Sequence, residues 1–290
     1  MRVVVRGFHA LVLVLVQMLV LPLAGAQERV SFDSLDRPVR LLGHWFEAPA
    51  ISASSATATA PAVVLLHGCG GPYGRGGELS ERMREYARLL NEHGLHALVL
   101  DSFTPRGQHE LCTQRVGQRS ITQTKRRLDA LAAIAWLARR TDVDAKRIGM
   151  LGWSNGGSTV LAAINTRHPA VRAALQQPAF AVAFYPGCQA ELTRGFETDV
   201  PLLMLVGESD DWTPAAPCHA LARAAGGRAP QIEGYEGAYH GFDSAAPLRR
   251  RLDVPNGVHA GQGVHVGGDS QARVASRERL LRFLADPLIR

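Results

Sequence analysis

The stretch LGWSNGGST, residues 151–159, places one serine among glycines between two apolar runs. Gly152-Trp153-Ser154-Asn155-Gly156 fits the G-x-S-x-G pattern of a nucleophile held on a sharp strand-to-helix corner. Glycines suit such a corner because it leaves no room for Cβ atoms beside the serine. The corner lifts the hydroxyl clear of the strand, and the N-terminus of the following helix favours negative charge. A plain turn from strand to helix would explain this pattern alone, so the rest of the chain has to supply partners.

A serine hydroxyl is a weak nucleophile and needs a base, which in turn needs an orienting acid. With this elbow the chain order is serine, acid, histidine. After Ser154, the apolar run 201–206 ends in GESDDWTP, offering Asp210 and Asp211. Asp210 stands three residues beyond Gly207 and is the preferred acid; Asp211 is placed to cap the following helix through its side-chain oxygen. Next, YEGAYHGFD offers His240 as base. The chain has 11 histidines, so each needs a reason. His219 falls inside a predicted helix, and His259 and His265 fall in a glycine-rich loop as surface residues. His240 alone follows a strand in the expected order. The developing oxyanion needs two backbone N–H donors. Asn155, after the nucleophile, supplies one, and Cys69 of His67-Gly68-Cys69-Gly70-Gly71 supplies the other.

These residues need a frame that gathers strand ends along one edge. Apolar β runs are read at 62–66, 96–100, 147–151, 180–184, 201–206 and 231–235, alternating with helical spacing at 78–93, 117–140, 154–166, 214–225 and 270–284. Strands apolar on both faces and separated by helices imply a mostly parallel central sheet covered on both sides. Sites in such sheets form where the loops after the strands collect. Residues 50–62, AISASSATATAPA, read as a flexible surface loop, and there is no internal repeat.

The 290 residues, 46% hydrophobic and 20% charged, suit a globular chain with a large core. The start differs: Arg2 and Arg6, an apolar run from Ala10 to Leu23, then Ala24-Gly25-Ala26. This reads as a signal peptide, residues 1–26, cut after Ala26, and leaves 27–290 as one domain. The run is short of the roughly 20 residues a bilayer span needs, so no stable membrane anchor is expected after cleavage. The protein is then exported, periplasmic or secreted. Of the net charge of +6, Arg2 and Arg6 carry two, leaving +4 on the mature chain. That charge is scattered apart from Arg249-Arg250-Arg251, which argues against a nucleic-acid partner. Cys69, Cys112, Cys188 and Cys218 make an even count in an exported chain and point to disulfides, with three possible pairings. None has the spacing of a zinc site, and no metal or organic cofactor is implied.

With HGCGG, GWSNGG, GESDDWTPAAPC and YEGAYHGFD in hand, and DSFTPRG at 101–107, the chain resembles the α/β-hydrolases. More narrowly it resembles the dienelactone hydrolase family, over about residues 60–285. That resemblance implies an α/β-hydrolase fold and the pairs Cys69–Cys112 and Cys188–Cys218. Dienelactone hydrolases proper use a cysteine nucleophile; Ser154 here instead implies hydrolysis of small-molecule carboxylic esters or lactones through an acyl-serine. Some dienelactone hydrolases hold a substrate carboxylate with arginines; that part is open to Arg106, but the preferred reading of Arg106 is a surface or structural residue. Only about 16 residues separate Phe184 from Pro201, too few for a large cap domain, so an open cleft is expected. The competing readings are a serine peptidase of the same fold, which would need a screening domain, and a non-catalytic binding protein, which would show an incomplete triad.

Overall fold

The computed structural model describes residues 27–49 and 59–286. The leader 1–26 lies outside the described residues, as does most of the small-residue loop 50–62. Among the described residues twelve strands and seven α-helices follow in order: β1 (Gln27–Asp33), β2 (Arg40–Phe46), β3 (Ala60–Leu66), α1 (Glu81–Glu92), β4 (His96–Asp101), α2 (Gln123–Leu137), β5 (Val143–Trp153), α3 (Asn155–Ile164), α4 (Pro169–Arg172), β6 (Phe180–Phe184), α5 (Gln189–Arg194), β7 (Glu197–Thr198), β8 (Leu202–Gly207), α6 (Ala215–Ala224), β9 (Gly226–Gly227), β10 (Gln231–Tyr235), β11 (Arg249–Arg251), β12 (Val264–Val266) and α7 (Ser270–Leu284).

Eight strands form one sheet in the order β1-β2-β4-β3-β5-β6-β8-β10. The six strands read from the sequence, β3 to β6, β8 and β10, pair in parallel. Their alternation divides two cores. In β3, Ala62, Val64 and Leu66 pack with residues of α2, α3 and α6, while Val63 and Leu65 pack with α1 and α7. Both faces are therefore dry, which is why these strands carry no polar alternation.

Two strands of this sheet were not anticipated, nor were the short pairs β7–β9 and β11–β12 outside it. β1 and β2 add an antiparallel edge, with β2 pairing β4. Their mixed burial, half apolar and half exposed, gives them a weaker signal than the doubly buried strands. The helix read at 117–140 begins later, at Gln123, where the Thr122 hydroxyl accepts from the Lys125 amide at 3.4 Å. Residues 116–118 make a separate 3-10 turn. β3 starts at Ala60, inside the loop read at 50–62.

Between β6 and β8 the chain holds only α5 and β7, so no large cap domain is inserted there. A longer excursion lies between β10 and α7. It carries His240 and the β11–β12 hairpin, and returns to the site through a bridge from Val266 to His240.

Candidate active site

β5 ends at Trp153 and α3 begins at Asn155, leaving Ser154 alone on the corner with φ 54° and ψ −116°. A non-glycine residue rarely holds this backbone, and its neighbours enforce it. A Cβ on Gly156 would lie 1.9 Å from the Leu66 carbonyl oxygen, and one on Gly152 would lie 2.4 Å from that of Gly156. The elbow therefore sits against the end of β3 at a distance that only glycine allows. The Ser154 amide donates to the Phe184 carbonyl at 2.9 Å, tying the corner to the end of β6.

His240 Nε2 lies 2.9 Å from Ser154 Oγ, and His240 Nδ1 lies 2.7 Å from Asp210 Oδ2. The three groups come from loops after β5, β8 and β10 and are all buried. Asp210 Oδ1 accepts from the amides of Trp212 and Thr213 at 2.8 and 2.9 Å, and Thr213 Oγ1 donates to Oδ2 at 3.0 Å. With the carboxylate saturated by donors, Nδ1 carries the proton and Nε2 accepts from the serine hydroxyl. Trp212 and Tyr185 hold the imidazole between them, each with its ring centre 4.6 Å from it.

Asp211 does not cap α6, in contrast to the sequence reading. Its carboxylate accepts from the His265 amide at 2.8 Å and from His265 Nδ1 at 2.7 Å. The two neighbouring aspartates thus divide their work: Asp210 meets the imidazole, and Asp211 anchors β12, whose following residue Gly267 donates to the His240 carbonyl at 3.0 Å. His265 belongs to a strand rather than a loose loop, while His219 sits in α6 beside Glu208.

Sequence reasoning missed Asp243, the last residue of YEGAYHGFD. Its side chain is fully buried and accepts from Trp153 Nε1 at 3.0 Å, Tyr185 Oη at 2.7 Å and the Arg82 guanidinium at 3.1 and 3.2 Å. One carboxylate thereby links α1, the elbow strand, the end of β6 and the histidine loop. Burial opposes the charge on Arg82, but the Asp243 carboxylate outweighs it and raises the arginine's pKa. Burial also holds the Tyr185 phenol protonated far above its usual range. The acidic residue three positions after His240 was the available signal.

The oxyanion side has its own fastening. Both sequence-inferred disulfides are present, Cys69–Cys112 and Cys188–Cys218. Cys69 is held twice, because its carbonyl also accepts from the Leu111 amide at 2.7 Å. Among the described residues no backbone carbonyl accepts from the Cys69 amide, and Asn155, first in α3, has no intrahelical carbonyl to donate to. Gly68 packs within 3.6 Å of Ser154 Cβ, measured from where its own Cβ would stand, so this loop flanks the hydroxyl. A cleft of about 440 Å³ opens over Ser154, lined by Cys69, Asn155, Arg119 and Trp212 among others. Asn256 reaches it from the excursion before α7, accepting from Val116 N at 3.0 Å and donating to Gln114 O at 2.9 Å. Arg106 is not in this lining. It is spent on Asp129, at 2.9 Å through both terminal nitrogens, and on Asp36 at 3.0 Å, so its role is structural.

A parallel sheet flanked by helices, with a serine elbow and a histidine-bearing loop at its strand ends, defines an α/β-hydrolase. The sequence profile of the dienelactone hydrolase family matches residues 48–285, and the chain belongs to that family. No curated protein sequence matches it. Similar solved structures include the dienelactone hydrolase from Anabaena variabilis, 17% identical with a TM-score of 0.61, covering 90% of this chain and 98% of that one. Esterase 2 of Thermogutta terrifontis, solved phosphoramylated by tabun, is 18% identical with a TM-score of 0.58, covering 91% and 96%. A dienelactone hydrolase-like promiscuous phosphotriesterase from metagenomic libraries is 20% identical with a TM-score of 0.60, covering 90% and 98%.

Proposed function

We propose that the protein is a serine hydrolase that cleaves carboxylic esters or lactones through an acyl-serine. The observation that carries this reading is the unbroken chain Ser154 Oγ, His240 and Asp210, with contacts of 2.9 and 2.7 Å. His240 Nε2 takes the hydroxyl proton as Oγ attacks the ester carbonyl. Asp210 holds the imidazole tautomer and stabilises the imidazolium. The amides of Asn155 and Cys69 receive the oxyanion. His240 then protonates the leaving alkoxide, and in a second round it activates water against the acyl-enzyme. The absence of a cap between β6 and β8 suits small or varied acyl esters and gives no screening domain of the kind a peptidase would need.

The leader read at 1–26 makes this an exported enzyme, and the two disulfides are compatible with an oxidising compartment. N-terminal sequencing of the mature protein should begin at Gln27.

p-Nitrophenyl acetate and butyrate test the chemistry directly. Ser154→Ala should lower kcat at least ~10⁴-fold while leaving the fold intact. Paraoxon should inactivate the native enzyme and add one diethylphosphoryl group on the peptide carrying Ser154. Equal turnover by native and S154A protein would remove the reading.

A further inference from the structure

Beneath the oxyanion loop lies a charge that the mechanism above does not use. Arg126, in the second turn of α2, is 1% exposed. Its Nη1 donates to Asn155 Oδ1 at 2.6 Å, and its guanidinium carbon stands 5.1 Å from the centre of the Phe103 ring. Its Nε and Nη2 are buried without a hydrogen-bond partner among the described residues.

Neither of the two nearest acids pairs with it directly. Asp129 is held by both terminal nitrogens of Arg106 and by the Ser34 hydroxyl at 2.5 Å. Asp101 Oδ1 accepts from the amides of Phe103 and Thr104 at 2.9 and 3.0 Å. Both attract the guanidinium at longer range, yet among the described residues no carboxylate lies within ion-pair distance of it. His67, on the other side of the loop, offers no negative charge. It is fully buried, and desolvation and then the Arg126 charge keep it neutral. Burial lowers the pKa of Arg126 as well, but a guanidinium stays protonated at neutral pH.

A buried, unpaired cation is a costly feature. Here it stands between the segments that carry the two oxyanion amides, bonded to one and electrostatically felt by the other. In the resting site nothing negative faces it from the cleft. During reaction, one negative charge appears, on the carbonyl oxygen held by the Asn155 and Cys69 amides. An interaction available only to that charge accelerates the chemical step without tightening substrate binding.

We propose that Arg126 is an electrostatic positioning residue of the oxyanion hole: its guanidinium fixes Asn155 and supplies, from behind the donors, positive charge that no directly paired carboxylate offsets at rest and that the tetrahedral intermediate can offset. This rests on the acyl-serine reading above and adds a residue to it.

Three variants, assayed on the mature protein with p-nitrophenyl butyrate and a trifluoromethyl ketone analogue of the same acyl group, test it. Exchange of a buried charge for an apolar side chain of similar volume is often neutral or stabilising. Arg126→Met should therefore keep or raise the thermal midpoint while kcat falls ~10- to 100-fold and KM changes less than ~3-fold. Inhibition by the ketone, which forms a charged hemiketal on Ser154, should weaken by the same factor as kcat/KM. Arg126→Gln, a second uncharged variant that retains a donor for Asn155, should match R126M, and Arg126→Lys should recover most of the rate. Wild-type kcat and ketone affinity in either folded uncharged variant would overturn the proposal. So would an R126K as slow as the uncharged pair, or uncharged variants that lose stability but not rate. Native protein that hydrolyses no ester and is not labelled by paraoxon would instead fail the acyl-serine reading itself.

Discussion

The two flanks of Ser154 are built on opposite principles. On the histidine flank the carboxylates are paired: Asp210 accepts from two amides, a hydroxyl and an imidazole, Asp211 binds His265, and Asp243 takes four contacts from three side chains. On the oxyanion flank, several buried polar atoms have no hydrogen-bond partner among the described residues: Nε and Nη2 of Arg126, Nε2 of His67, Oδ2 of Asp101 and Oγ of Ser102. The histidine flank must be right before substrate arrives, since it fixes a tautomer and a rotamer. The oxyanion flank serves a charge that does not yet exist, and a site fully satisfied at rest would have less to offer it.

The contrast is broken most severely at the neighbouring aspartates. Asp210→Asn should lower kcat by roughly 10⁴-fold with the fold retained, because the amide favours the wrong imidazole tautomer. Asp211→Asn should stay within about tenfold, since Asp211 acts one step away, through β12. Steady-state kinetics on p-nitrophenyl butyrate separates the two; equal losses would show that the division of labour is misassigned.

Asp243→Asn comes next and should act on stability and rate together. It removes the charge that compensates Arg82 and leaves Trp153 and Tyr185 with a poorer acceptor. Removal of one partner from a buried pair costs about 3–5 kcal/mol. The Arg82 side chain is 31% exposed, which discounts this to roughly 2–3 kcal/mol. For a domain of this size that is a fall in Tm of about 5–10 °C. A D243N protein with the native melting curve would show the network to be decorative.

The disulfides sharpen the comparison further. Cys69–Cys112 and Cys188–Cys218 close loops with sequence separations of 43 and 30, so the chain-entropy argument gives each about 4 kcal/mol at most. Cys112→Ser and Cys218→Ser should thus destabilise to similar degrees. Only C112S should also lower kcat, by several-fold, because it releases the loop that carries the Cys69 amide. Equal kcat in the two would mean that the loop is rigid without its bridge.

These residues also mark what the sequence could disclose. The grouping of Ser154, Asp210 and His240 at one sheet edge was legible because their order and their places after apolar runs are local facts. The parallel strands were legible because burial on both faces writes an unbroken apolar run. β1 and β2 escaped because an edge hairpin buries one face only, and its alternation resembles a loop with scattered hydrophobics. Arg126 and Asp243 escaped for a different reason. Each looks like an ordinary surface charge in its own segment, Arg126 within KRRLDA and Asp243 within GFDSAA, and only packing across the sheet shows either as buried. Asp211 misled because adjacency to a helix start suits a cap equally well; the strand that claims it, β12, lies more than fifty residues downstream.

The smallest effect separates the flanks by pH. His67 is neutral in the folded protein, its pKa held well below 6.5 by burial first and by the Arg126 charge second. In the unfolded chain the same imidazole takes up a proton near pH 6.5. Below that pH the unfolded state binds more protons, so stability falls as pH falls, from about 6.5 down to the folded-state value. At most the loss is about 1.4 kcal/mol per pH unit for one histidine. His44, His96 and His168 are lowered too, each chiefly by burial, and add to the slope of the native protein. The difference between native protein and His67→Gln isolates the single group. Denaturant midpoints measured from pH 7.5 to 5 should fall less steeply in H67Q, by up to about 1 kcal/mol per unit. Parallel slopes would mean that His67 protonates in place, and that the buried ground beneath the oxyanion loop tolerates a second positive charge beside Arg126.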